Sequence, residues 1–462
     1  MNRFIFLIVL LLTILLSCNK DSDVSNVNDV NYLSKSDQYK VCNKLLTTLY
    51  KPEKYEDLMK HDNCLKYIKD GLNTEKDISN ITLNEYDFNK NRKPSESKLA
   101  YIYKLPLSKQ LYDHWMTYFL LNTIMFSPST QLFTVSQQDV DNVYNSIYLQ
   151  IANDIPIEIV VYNYMVSQEN WRRFRSPEDN TREMLEIFVG DFNDSDVPKA
   201  AQACKNWKLD KKKKVLIIGP NKNTIPVYIF GKRITTCEDF YNVLVNSKHF
   251  KRRVIEHIVN YMFNTYPDNL KNEIIDKILS QNPKTFRDIF NIILFSREYL
   301  YSNDSYKTYE QIILSYMYLL NYKPNKNFFI VLYNIGYKSK QAQFKYKLGR
   351  NPKPPTDSYS LTVINKFLRE NIFQRPCWKS IDNCSGFEPT IFLNKYDSEK
   401  WLKNVFLSLI NREPNTDEID RLTDIFTKNN INCNKQYCNL RRTLIVLQYI
   451  SDLTETYHFR GL

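Results

Sequence analysis

Two carboxylates, Glu183 and Glu186, stand three residues apart in the chain, beside Arg182 and Asn180. Residues at that spacing share a helix face. The pair could therefore converge on one cleft and serve as acid and base on a polymeric substrate, with Arg182 and Asn180 orienting it. A plainer reading uses the same residues. Arg182 is four residues from both Glu178 and Glu186, which predicts a charge clamp along the helix surface, each pair contributing roughly 0.2–0.5 kcal/mol. The clamp is the expected arrangement. Asn180, Arg182, Glu183 and Glu186 then form a binding or helix-locking group. Glu183 and Glu186 become catalytic candidates only if Glu183 lies beside a pocket without a cationic partner.

The elements that carry these residues are legible around them. Ser176, Pro177 and Asp179 predict a helix N-cap, a first-turn proline and an acid three residues after the cap. Thr181, Met184, Leu185 and Phe188 recur at three-and-four spacing as a buried stripe, and Gly190 supplies the stop. A second helix is expected from Ser195, with Pro198 in its first turn, running toward Trp207. The stretch Trp171 to Trp207 is thus a helix-turn-helix unit with an acidic polar face.

The fold class read from the whole chain is mainly α: a multi-helix orthogonal or bundle-like domain with a small β-hairpin, plus a smaller helical C-terminal unit. Helical stripes recur from Val41 to Leu332. Val215–Ile218 and Ile225–Phe230 are the two apolar runs expected to pair as the hairpin. Lys211 to Lys214 reads as a solvated loop tip. His114, alone in an apolar helix, is expected to be a hydrogen-bonded core histidine. The polar, proline-bearing segment 339–358 is expected to link a main domain, 37–338, to a unit spanning 359–462. Within that unit, Trp401 to Tyr457 repeats the helix, proline and Glu-Ile order of Arg253 to Leu300.

With 462 residues and 43% hydrophobic content the chain can bury a large core. Eight glycines are too few for phosphate-cradling loops, and neither a Walker A loop nor a dinucleotide fingerprint is present, so no cofactor is expected. Met1 to Arg3 followed by the apolar run Phe4 to Leu16 has the form of an export leader, too short for a membrane span. The run ends in Leu15-Leu16-Ser17-Cys18, which resembles the bacterial lipobox and predicts residues 1–17 as a lipoprotein signal peptide and Cys18 as the lipid-bearing residue. Residues 18–36 are then a flexible tether. Asn19 after the cysteine favours the outer membrane of a bacterial envelope.

Eight cysteines remain: Cys42, Cys64, Cys204, Cys237, Cys377, Cys384, Cys433 and Cys438. An even count in an exported chain predicts disulfides. Short loops would close as Cys42–Cys64, Cys377–Cys384 and Cys433–Cys438, leaving Cys204 with Cys237, although spacing alone does not decide among pairings. Clustered metal-ligand spacing is absent, and no metal site is expected.

The opening stretch resembles the bacterial domain-of-unknown-function family eighteen-hundred. The likeness rests on Asp179, Arg182, Glu183, Met184, Glu186, Ile187, Phe188, Gly190, Asp196, Val197 and Trp207, in the order and spacing of that family's helix, glycine, acidic turn, Asp-Val helix and tryptophan. It extends more loosely from Trp115 to a Ser296–Leu300 ending. Many members carry a His-Asp pair after the tryptophan. Here Lys208 to Gly219 holds no histidine, so no metal or acid-base role is carried over from it. The C-terminal part is similar to the Asn-Arg-x-Pro-x-x-x-Glu helical repeats of other exported families, at Asn411, Arg412, Pro414 and Glu418. The resemblance implies an exported, mainly helical protein and no particular reaction.

The expected function is a lipid-anchored, non-catalytic binding or assembly module of the cell envelope; the alternative is an exported hydrolase working through the Glu183 cluster. A formal charge of +12 suits anionic glycans, lipid headgroups or another exported envelope protein as partners, and export argues against nucleic acid. Cys18→Ala is expected to release the protein from membranes, measured by detergent-phase partitioning; a variant that stays in the lipid-extractable fraction contradicts the anchor.

Overall fold

The computed structural model describes residues 30–83, 94–124, 137–174, 176–210, 212–213, 215–322, 324, 328–341, 356–373, 398–432 and 435–462. The expected leader, Cys18 and most of the tether lie outside these residues. The chain is mainly helical, with small two-stranded antiparallel hairpins.

Polar caps start many of the helices. Ser34 opens α1 (Lys35–Thr48) by accepting the Asp37 amide; α2 (Tyr55–Leu58) and α3 (Cys64–Asn73, capped by Asn63) follow. Next come α4 (Pro94–Lys104), α5 (Lys109–Thr123), α6 (Gln137–Ala152), α7 (Ile157–Met165), α8 (Gln168–Trp171), α9 (Pro177–Phe188) and α10 (Asp196–Ala203). Two hairpins come next, β1 (Trp207–Asp210) with β2 (Val215–Ile218) and β3 (Val227–Ile229) with β4 (Lys232–Ile234). Helices resume with α11 (Cys237–Val245), α12 (Phe250–Met262), α13 (Asp268–Ser280) and α14 (Phe286–Leu294), then a π-turn at Glu298–Ser302 and β5 (Ser305–Tyr306). The remainder holds α15 (Tyr309–Leu319), α16 (Phe328–Lys338), α17 (Ser358–Leu368), α18 (Ser398–Ile410), α19 (Thr416–Lys428), α20 (Gln436–Ser451) and β6 (His458–Phe459).

Helix α5 is buried from Leu111 to Tyr118 and again at Leu120 to Asn122, as expected of a helix enclosed by others. It packs against α3, α4, α6, α12 and α14. The Trp115 indole N–H donates to the Thr48 carbonyl at 2.7 Å and so ties α5 to α1. His114, as expected, is a core residue: its Nδ1 meets the Tyr144 hydroxyl at 2.8 Å, and burial, with Lys98 adding to it, lowers its pKa to about 3.

Three expectations are corrected. First, the two apolar runs after Trp207 do not pair with each other. Val215–Ile218 folds back on Trp207–Asp210, and Val227–Ile229 pairs forward with Lys232–Ile234, because Gly231 at φ +72 permits a tight turn there. Secondly, the segment expected as tether to residue 36 is already structured at its end: Val30 is fully buried and Ser34 is a helix cap. Thirdly, the boundary at 339–358 does not separate two cores. One hydrophobic core runs from Val30 to Tyr457, α18 packs on α1, α2 and α15, and β6 pairs with β5 in the register Ser305↔Phe459 and Tyr306↔His458.

The repeat noted in sequence corresponds to the same succession of elements. Helices α12 and α13, and likewise α18 and α19, are 13 residues each, and a third helix follows in both cases.

Two disulfides stand between described cysteines, Cys42–Cys64 and Cys204–Cys237. Cys438 is also disulfide-bonded; Cys377, Cys384 and Cys433, and with them the expected Cys377–Cys384 and Cys433–Cys438 pairings, lie outside the described residues.

The Asn-Arg-x-Pro-x-x-x-Glu motif acquires a physical role. Arg412 lies bidentate on Glu418, 2.7 Å to each oxygen, and its Nε donates to Glu455 at 3.0 Å. Glu418 also accepts the Asn415 amide, closing the cap of α19. Burial pushes the Glu418 carboxyl up, but these bonds bring it below its ordinary value. Arg412→Met strands buried Glu418 without its bidentate cation and leaves Glu455 only the longer contact to Arg460, 3.5 Å away, and it should cost roughly 2–4 kcal/mol in chemical denaturation. An unchanged midpoint would show that the clamp contributes nothing.

Candidate functional site

The predicted site residues do not converge. Helix α9 forms as expected: Ser176 Oγ accepts the Asp179 amide at 3.2 Å, and Thr181, Met184, Leu185 and Phe188 are buried. The chain turns at Gly190, φ +78, whose amide returns to the Leu185 carbonyl. A Cβ there would come within 3.0 Å of the Arg253 side chain, so glycine serves both the conformation and the close approach.

Asn180 is fully buried and accepts the Tyr241 hydroxyl at 2.6 Å; it faces the core and takes no part in a surface binding group. Arg182 is not clamped between Glu178 and Glu186. Its guanidinium reaches forward to Asp194 at 3.0 Å, across the turn before α10, where the Asp194 side chain is exposed and that of Arg182 is half-exposed. Glu186 is exposed. Glu183 is half-buried, and its pKa is raised by burial first and by Glu186 second, with Arg173 opposing. The shift has the sign a general acid needs, but neither carboxylate lines the cavity described next.

That cavity lies where α1, α5, α12, the π-turn, β5, the start of α15 and β6 meet. Its space open to the centre of a water molecule is about 50 Å³. At roughly 10–15 Å³ per water, it holds about four waters, enough for one ring edge and too little for a polymer segment. Helix α5 contributes Trp115, Tyr118, Phe119, Asn122 and Thr123; Tyr50, Tyr261, Tyr299, Tyr306 and Phe459 complete the aromatic wall, and Asn264 and Gln311 add carboxamides. The described lining carries no carboxylate, imidazole, thiol or ammonium group.

Local bonds fix this wall. The Tyr299 hydroxyl meets Thr48 Oγ1 at 2.7 Å. Asn264 brackets β5: its oxygen accepts the Tyr306 amide at 3.0 Å and its NH2 donates to the Tyr306 carbonyl at 3.2 Å. Gln311 accepts the Thr308 amide at 2.8 Å as half of a capping box, which leaves its NH2 as a donor at the cavity edge. Phe119 stands edge-on to Tyr261, centroids 6.1 Å apart.

Two lysines are buried behind the wall. Lys44 Nζ donates to the Asn303 carbonyl at 2.5 Å and lies 5.1 Å from the Tyr299 centroid and 5.8 Å from that of Phe459. Lys307 Nζ donates to the Glu455 carbonyl at 3.0 Å and lies 5.1 Å from Phe459. Burial lowers each pKa to about 7, with Asp304 opposing at Lys44 and Glu455 at Lys307. A third, Lys51, donates to the Tyr103 carbonyl and the Tyr318 hydroxyl, and burial takes it well below the ordinary lysine value.

The cavity residues were not singled out from sequence. Aromatic residues are so frequent in this chain that eight of them carry no positional signal. Lys44 did have one: it falls on the stripe Val41, Lys44, Leu45, Thr48, where a charged residue interrupts a buried face.

Among the described residues, no group of three His, Cys, Asp or Glu side chains is placed to hold a metal ion, and no helix is long and apolar enough to cross a membrane. No family model, no curated protein and no solved structure matches the chain.

The buried lysines set a pH dependence. Unfolded, each amine keeps its proton to about pH 10, whereas the folded protein releases it near pH 7. The unfolded state binds more protons across that window, so stability rises with pH from about 7 toward 10. The thermal midpoint should climb over this range, and Lys44→Met or Lys307→Met should flatten the climb. A wild-type midpoint that falls across the same window contradicts the assignment.

Proposed function

We propose that this protein is a non-catalytic, lipid-anchored binding module of the bacterial cell envelope, and that its ligand presents a ring face and polar edges to the aromatic cavity. A saccharide unit of an envelope glycan has that chemistry: its C–H face stacks on aromatic rings and its hydroxyls meet carboxamides and phenols. The observation that carries the proposal is the lining itself, which among the described residues has eight aromatic residues, three side-chain amides and no charged side chain. The leader and the lipobox-like residues ending at Cys18 support the envelope location.

The hydrolase alternative keeps one supporting observation, the raised pKa of half-buried Glu183. Against it, Arg182 is engaged with Asp194 and Asn180 with Tyr241, so neither of the expected orienting groups serves that carboxylate, and the Arg173 cation opposes the rise in its pKa.

Trp115, one of the chain's five tryptophans, lines the cavity, so its share of the emission reports occupancy. Titration with mono- and disaccharide fragments of envelope glycans should shift the emission. Tyr261→Ala and Tyr306→Ala should each weaken binding about tenfold, ~1.4 kcal/mol, whereas Glu183→Gln should leave it unchanged. Loss of binding or of a bond-cleaving activity in Glu183→Gln, with the cavity variants unaffected, would transfer the assignment to the carboxylate.

A further inference from the structure

The chain from Trp207 to Ile234 folds as the two hairpins β1–β2 and β3–β4, and the Cys204–Cys237 disulfide closes this segment at its base, Cα atoms 4.3 Å apart. The segment holds eight basic residues and one acid, a net +7 of the chain's +12. Lys208, Lys212, Lys213, Lys222, Lys232 and Arg233 are exposed, and among the described residues none of them enters an ion pair. The single acid, Asp210, is occupied by the backbone amides of Lys212 and Lys213 at 2.9 and 3.0 Å.

Large apolar side chains are exposed within the same charged segment: Ile217 by 47%, Ile218 by 52%, Ile225 by 63% and Tyr228 by 60%. Isolated exposed apolar residues are ordinary. Here they gather on one disulfide-closed unit ringed by unpaired cations, a combination that solvation of a loop tip does not require. Ile217 and Ile218 are consecutive on β2 and so point to opposite faces of the hairpin, yet both meet water. A flat protein partner would cover one face and leave the other wet. Immersion in a membrane interface covers both.

We infer that this double hairpin is a docking surface for an anionic lipid bilayer. The isoleucines enter the boundary between headgroups and acyl chains, Tyr228 lies at headgroup level, and the lysines remain among the lipid phosphates. Of the anionic partners compatible with the charge, a glycan or an acidic polypeptide accounts for the lysines but not for three exposed isoleucines. The contact is independent of whatever ligand fills the aromatic cavity.

Amine-reactive footprinting read by mass spectrometry tests this on the full chain, mixed with vesicles of phosphatidylcholine alone or with added phosphatidylglycerol. Lys212, Lys213, Lys222 and Lys232 should be protected fivefold or more by the anionic vesicles only, with Lys66 and Lys366 unchanged, and the protection should disappear at 1 M salt, where the Debye length is about 3 Å. Lys212→Glu/Lys213→Glu and Ile217→Ser/Ile218→Ser should each lose the protection while keeping the wild-type circular dichroism and thermal midpoint. Equal labelling with and without anionic vesicles overturns the inference. So does protection by soluble polyglutamate without protection by vesicles, or protection that survives the serine substitutions.

Discussion

The pairing of β6 with β5 is the constraint on which the rest of the structure depends. It places Phe459 opposite Ser305, between two buried ammonium-bearing chains, and against the cavity formed by α1, α5 and α12. Without that strand the cavity loses a wall, and Lys44 and Lys307 lose the ring that stands near both amines. The tail is held beyond the strand as well: the Gly461 amide donates to Asp304 at 2.6 Å and the Leu462 amide to the Tyr301 carbonyl at 2.8 Å. The last turn before the strand contributes Glu455, whose carboxylate meets Arg412 and whose carbonyl accepts Lys307. A clamp on α19, a buried amine and a cavity wall are thereby joined within a few residues.

Local rules made much of the fold legible. Ser176, Pro177 and Gly190 marked the ends of α9, and the stripe Thr181, Met184, Leu185, Phe188 gave its buried face, because caps, proline and glycine act within one turn. The pairing Cys42–Cys64 was suggested by its short loop and Cys204–Cys237 only as the pair left over, and both bonds form. Long-range relations were not legible. The apolar runs at Val215 and Val227 were equally able to pair with each other or with their own neighbours, and turn chemistry at Gly231 together with the body of the protein decided between these. The single core across 339–358 depends on contacts such as Asn43 with Asn411, 2.6 Å apart and 368 residues distant in sequence, which periodicity does not encode.

The candidate site was less legible than the fold, for a related reason. Charge spacing on one helix drew attention to Glu183 and Glu186, but helix spacing says nothing about what stands opposite. In the folded chain Asn180 turns inward to Tyr241 and Arg182 turns outward to Asp194, so residues adjacent in sequence serve different surroundings. The aromatic cavity draws on segments from Thr48 to Phe459, each carrying one or a few of its residues. Such a site is assembled by topology.

The central claim is that the aromatic cavity, and not the Glu183 face, receives the ligand and leaves it intact. A crystal structure of the protein soaked with a glycan fragment tests this most directly. The account predicts an uncleaved sugar ring with one edge in the cavity beside Tyr261 and Tyr306; density beside Glu183, or a fragment cut at its glycosidic bond, would contradict it.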